Sequence, residues 1–147
     1  MEQFITDHSL STLFVLSFGA STLLPLGSEW LLALLVADGL PIVNVVLVAT
    51  IGNFLGACTT YFIGILGANF VISNLLRISS EQSAKAQGVF RKWGVWSLFF
   101  SWLPIIGDSL CLAAGIFKTN PIVFSALVIA GKAFRYMFIA WVVSSTV

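Results

Sequence analysis

The sequence predicts an all-α, polytopic integral membrane protein, and three observations carry that prediction. Hydrophobic residues make up 59% of the chain and charged residues only 9%, whereas a water-facing domain uses about 25% charged residues. The mean hydropathy is +1.02. The few charges are also unevenly placed: residues 39 to 76 hold none, 10 to 37 hold only Glu29, and 94 to 117 hold only Asp108. Apolar stretches of that length match a hydrocarbon core of ~30 Å, which a helix crosses in about 20 residues.

The first apolar segment, residues 10 to 37, is interrupted by Ser21-Thr22 and by Pro25-Leu26-Gly27-Ser28-Glu29. Glu2 and Asp7 precede it with no Lys or Arg, the wrong sign for a secretory signal, so this segment is expected to be retained. The second, residues 41 to 76, is uncharged and long enough to span with a tail left over. Its Gly52, Gly56, Thr60 and Gly64 form a small-residue ridge for close helix packing. The third, residues 94 to 117, is broken at Pro104-Ile105-Ile106-Gly107-Asp108. The fourth, residues 121 to 146, is continuous apart from Lys132 and Arg135.

Residues 77 to 93 form the one polar stretch. Ser79 and Gln82 resemble a capping box, and Gly94 supplies a stop. Ala86, Val89, Phe90 and Trp93 share a helical face from which Lys85, Arg91 and Lys92 are excluded, which predicts an interfacial amphipathic helix over a plain solvated loop. Residues 1 to 76 contain no Lys or Arg, while 77 to 118 contain Arg77, Lys85, Arg91, Lys92 and Lys118. The positive-inside rule places 77–93 in the cytoplasm.

Each broken segment is too short to cross twice, so it either crosses once with a kink or dips in and returns. Turn residues in the middle favour a re-entrant hairpin, tolerated where protein or water satisfies its backbone. The breaks also repeat. Pro25 and Glu29 recur 79 residues later as Pro104 and Asp108, and the same offset carries Gly52 to Gly131, Asn53 to Lys132 and Gly56 to Arg135. One membrane domain over 1–147 is expected, with repeats at about 10–76 and 94–147 joined by the amphipathic linker. Inverted repeats with Pro/Gly-interrupted segments point to a transporter site near the midplane.

Glu29, Asp108, Lys132 and Arg135 are therefore the candidate substrate or proton pathway, with Asn53 as the amide counterpart of Lys132. A charge at the bilayer centre costs about 2.5–3.5 kcal/mol even on a lenient scale, so these groups must pair, line a wet cavity or titrate. Lys132 and Arg135, three apart, share a helix face. The competing possibility is a static salt-bridge cluster that fixes helix register. Pro25, Gly27, Pro104 and Gly107 mark the hairpin breaks; Gly52, Gly56 and Gly64 mark packing.

Other functions are disfavoured. A net charge of +1 gives no basic face for nucleic acid. Cys58 and Cys111 build no metal or disulfide pattern, His8 stands alone, and no nucleophile elbow, zinc spacing or phosphate loop is present. No enzyme activity, cofactor or metal is expected, the remaining enzymatic option being an acid–base pair of Glu29 with Asp108. The expected partners are membrane lipids and further copies of the chain, because so few spans cannot shield a polar cavity alone.

Pro25-Leu-Gly-Ser-Glu29, Gly52-Asn53-Phe-Leu-Gly56, Tyr61-Phe-Ile-Gly64, Phe90-Arg91-Lys92-Trp93-Gly94, Leu103-Pro104-Ile-Ile-Gly107-Asp108 and Gly131-Lys132 with Arg135-Tyr136 follow one another through nearly the whole chain. In this order they resemble the DedA family (the VTT, or SNARE-associated, domain), in particular its short YqaA-like branch. The resemblance implies two facing re-entrant hairpins, an inner-membrane location, and movement of lipids or lipid-linked carriers, proton-coupled in some relatives. It also implies arginines three residues before and after the second hairpin's proline. Here those positions are Ser101 and Gly107, so a phosphate would lose two bidentate donors. A membrane-homeostasis or assembly role without transport is the alternative.

Overall fold

The computed structural model describes residues 2–21, 28–70, 80–103 and 106–146. Its helices are α1 (Glu2–Ala20), α2 (Ser28–Ala37), α3 (Ile42–Phe70), α4 (Ser80–Lys92), a 3-10 helix (Gly94–Trp102), α5 (Ile106–Ile116) and α6 (Pro121–Ser144). The described residues contain no strand. Pro25, Gly27 and Pro104 lie outside them, as does Ser79 of the expected capping box. In both cases the chain is helical before and after the expected break. α1 extends the first apolar segment back to Glu2.

Among the described residues, two helices are long and apolar enough to cross a membrane, Ile42–Ala68 with 27 residues and Pro121–Ser144 with 24. At 1.5 Å per residue they measure roughly 40 and 36 Å, more than a ~30 Å core requires. Both turn large apolar side chains outward: Leu66 is 83% exposed, Ile122 76% and Trp141 65%. Such surfaces suit lipid, not water.

The helix ends obey local rules. α2 stops in a Schellman motif, with Gly39 at φ +85° and the amides of Gly39 and Leu40 bonded to Val36 and Leu35 carbonyls at 3.1 Å. α5 stops in the same motif 79 residues later. There Lys118 takes the left-handed position at φ 50°, and Lys118 and Thr119 bond back to Gly115 and Ala114. Asn120 then caps α6 through its side-chain oxygen, 2.8 Å from the Ile122 amide, with Pro121 in the first helical position.

The chain divides into two compact units, Met1–Gly56 with Lys132–Val147, and Ala57–Gly131. In the first, Leu13, Leu32, Leu35, Val36, Val45, Ala49, Tyr136 and Ala140 form the apolar core. Gly52 and Gly56 let α1 lie against α3: a methyl at Gly56 would come within 2.5 Å of the Phe18 carbonyl oxygen and 2.7 Å of Ser21 Cβ. In the second unit, α3 meets α5 through Gly64 and Gly115, where a methyl would strike the Leu112 and Tyr61 carbonyl oxygens. Tyr61 donates a hydrogen bond of 2.5 Å to the Thr119 carbonyl and stacks on Phe124 with centroids 4.4 Å apart. The small-residue ridge thus serves two different neighbours.

The 3-10 helix is nine residues long, where runs beyond three or four residues are uncommon. Its three-residue turn puts Val95, Leu98 and Ser101 on one buried side. Gly131 of α6 receives it there, 2.9 Å separating a built Cβ from both the Phe99 carbonyl oxygen and Ser101 Oγ.

Candidate functional site

The first unit gathers four of the five predicted pathway residues. α6 presents Lys132, Arg135 and Tyr136, spaced so that all three project to one side. α2 brings Ser28 and Glu29 in its opening turn, α3 brings Asn53, α1 brings Ser17, and the turn that follows α1 brings Ser21.

Glu29 and Arg135 form an ion pair through Oε1 and Nη2. Lys132 is 3% exposed. Its ammonium donates to Asn53 Oδ1 and, at 3.3 Å, to Ser21 Oγ. With its oxygen held by that charge, the Asn53 amide must turn its NH₂ the other way. There Nδ2 donates to Tyr136 Oη at 2.9 Å. Ser28 Oγ lies 3.0 Å from the same phenol oxygen, a hydrogen bond in which either hydroxyl can donate. One polarised chain, Lys132 to Asn53 to Tyr136 to Ser28, therefore ties α6, α3 and α2 together, and low local dielectric strengthens each bond in it. Ser17 Oγ, also buried, adjoins Tyr136 from α1.

Beside the ion pair a groove of about 400 Å³ runs along α2 and α6, lined by Glu29, Trp30, Ala33, Leu34, Ala37 and Val143. Glu29 is the one ionisable group in its lining; the rest is apolar.

The fifth predicted residue, Asp108, stands in the first turn of α5 in the second unit. Gly107 beside it is buried, and a methyl there would collide with the Ser101 carbonyl. Ser101 is itself 1% exposed. Neither position has room for the arginine that the family resemblance implies, so phosphate recognition by those two positions is closed to this chain. Tyr136, Ser28, Ser21 and Ser17 were not among the predicted site residues. Tyr136 is four residues beyond Lys132, and that spacing on the charged face was the available signal. The serines gave none.

The VTT domain model matches residues 24–145, nearly the whole chain and every residue of this cluster except Ser17 and Ser21. The chain belongs to the VTT-domain (DedA) family. Among VTT-domain relatives, Inner membrane protein YqaA of Escherichia coli is 40% identical over 136 residues, covering 90% of this chain and 89% of the relative. A Haemophilus influenzae protein is 33% identical, covering 88% and 84%. Undecaprenyl phosphate transporter A of Staphylococcus aureus is 24% identical over 147 residues, covering 89% and 72%. No solved structure matches. This VTT-domain chain is accordingly an all-helical membrane protein.

Proposed function

We propose that this protein is an inner-membrane transporter that moves a lipid or lipid-linked anion, with substrate uptake coupled to protonation of Glu29. The observation that carries the proposal is the Glu29–Arg135 pair beside a buried Lys132 that neutral oxygens hold. Lys132 and Arg135 bring cationic groups to the cluster, and in Glu29 the Arg135 guanidinium already holds an anionic group. Arg135 stays charged at any working pH, and its fork fits carboxylate and phosphate alike. Glu29 and a phosphate headgroup therefore compete for the same guanidinium. A proton placed on Glu29 Oε1 releases Arg135 to the incoming headgroup. When that proton leaves on the other side, the carboxylate returns and expels the headgroup. The neighbouring groove suits the hydrocarbon part of such a substrate. The relative named for undecaprenyl phosphate transport supports this substrate class.

An inverted repeat with two re-entrant hairpins fits the same mechanism, and contacts at the offset of 79 residues favour it. Asn53 and Lys132, counterparts of each other, are directly bonded. Gly64 and Leu112 meet in the second unit; their counterparts Val143 and Ala33 line one groove in the first. Tyr61 meets Gly115, and their counterparts Ala140 and Val36 share one core. The two left-handed caps, Gly39 and Lys118, obey the same offset. We further assign residues 77–93 to the cytoplasmic side, Asp108 to the second half's share of the pathway, and the working form to a homo-oligomer.

A non-transporting assembly or homeostasis factor is the second reading, favoured by the continuous bonding from Lys132 to Ser28, which would also serve as a lock. Transport of a polyprenyl phosphate in proteoliposomes separates the two. Glu29→Gln and Arg135→Gln should each lower the rate at least tenfold while leaving helical content and abundance unchanged, and Glu29→Gln should also remove the dependence on a proton gradient. Full transport by Glu29→Gln, or losses that merely follow abundance, would sink the transport reading.

A further inference from the structure

We infer that α4 and the 3-10 helix form a docking surface for anionic phospholipid headgroups, separate from the transport cluster and independent of what that cluster moves. α4 is fixed in place by Phe90, whose ring stacks on Phe117 with centroids 4.8 Å apart. With Phe90 turned inward, the expected apolar face of α4 is divided: Val89 lies outward with Lys85 and Lys92 and not with Phe90. All three are exposed, Val89 at 63%. Arg91, on the opposite flank, is exposed as well.

The surface does not stop where α4 ends. Side chains three apart eclipse in a 3-10 helix, so Trp93, Trp96 and Phe99 stand in one row. They are 69%, 69% and 45% exposed. Lys92 Nζ lies 5.8 Å from the Trp93 ring centroid, joining the basic flank to the aromatic row. Amphipathic rings settle at headgroup level, and lysine stems run along apolar surface while their ammonium groups reach outward. A row of rings bordered by Lys85, Arg91 and Lys92 therefore meets the phosphates of a lipid leaflet, with the rings beneath them. The charge decides among lipids. Only Glu81 opposes these cations on α4, and its bond to Lys85 at 3.2 Å is exposed on both sides, the kind of pair that is readily exchanged. Zwitterionic headgroups carry their own cation, so the surface selects headgroups with net negative charge.

The test uses the full chain in phosphatidylcholine vesicles containing brominated phosphatidylglycerol or, in parallel, brominated phosphatidylcholine at equal mole fraction. Quenching of Trp93 and Trp96 is taken as the difference between the unmodified protein and Trp93→Phe/Trp96→Phe. Brominated phosphatidylglycerol should quench these two residues more strongly, with a preference that falls as salt is raised. Each cation near an anionic surface contributes about a fivefold preference. Lys85→Gln/Arg91→Gln/Lys92→Gln should therefore abolish the selectivity, while Lys85→Arg/Arg91→Lys/Lys92→Arg should keep it. Equal quenching by the two lipids in the unmodified protein overturns the proposal, as does a preference that survives the neutral triple variant.

Discussion

In both units α3 has glycines set against a neighbour's backbone, but in the first it also carries a chain of polar side-chain bonds to α6. Asn53 reaches Lys132 and Tyr136 on α6, while Gly64 admits the α5 backbone directly. Around α3 in the second unit the described contacts include glycine against carbonyl, Tyr61 on Phe124, and one tyrosine hydroxyl on a carbonyl. These hold the helices in position. The first unit keeps an ion pair and a buried ammonium that a helix lock does not require, since apolar packing serves that end as well. The contrast locates the chemistry near one end of α3 and the scaffold near the other.

Three substitutions probe that contrast. The largest effect is expected at Gly115→Leu, where the new side chain runs into the α3 backbone at Tyr61 and Gly64. Overpacking of this kind should cost about 3 kcal/mol of stability, read as a lowered midpoint in a denaturant titration followed by circular dichroism. A neutral result there would mean that the α3–α5 contact is not tight. Next is Lys132→Met, which strands the buried Asn53 oxygen and should cost about 2 kcal/mol. Adding Asn53→Leu to it should cost little more, because coupled neighbours deviate from additivity by about 0.5–3 kcal/mol. Strictly additive costs in that double-mutant cycle would dismantle the bonded chain. The smallest is Gly67→Ala, at a site with nothing within 4 Å of a built Cβ. It should raise stability by about 0.5–1 kcal/mol through helix propensity alone; a loss would place an unseen neighbour there.

Much of this was legible in the sequence because charge is so scarce in it. Glu29, Lys132 and Arg135 stand out in apolar segments, and the cost of leaving them in lipid forces them together. Asn53 was found through its offset from Lys132, and the structure bonds the pair. What stayed hidden was of a different kind. Tyr136 read as one more core or interface aromatic, and its role depends on partners 83 and 108 residues away, which no local pattern encodes. Ser17 and Ser21 read as small residues in an apolar run. The 3-10 conformation of 94–102 has no compositional mark; its aromatic residues, weak α-helix formers, are compatible with it but do not require it.

The two serines at the end of α1 and just past it, Ser17 and Ser21, have a mechanical consequence. Ser17 faces Gly52 and Ser21 faces Gly56, so α1 and α3 engage like a toothed rack with one notch per turn. Gliding by part of a turn drives Cβ atoms into backbone. A jump of one whole notch, about 5.4 Å, would set Leu13 against Gly52 and take it out of the apolar core, so the register of α1 is held against both kinds of slip.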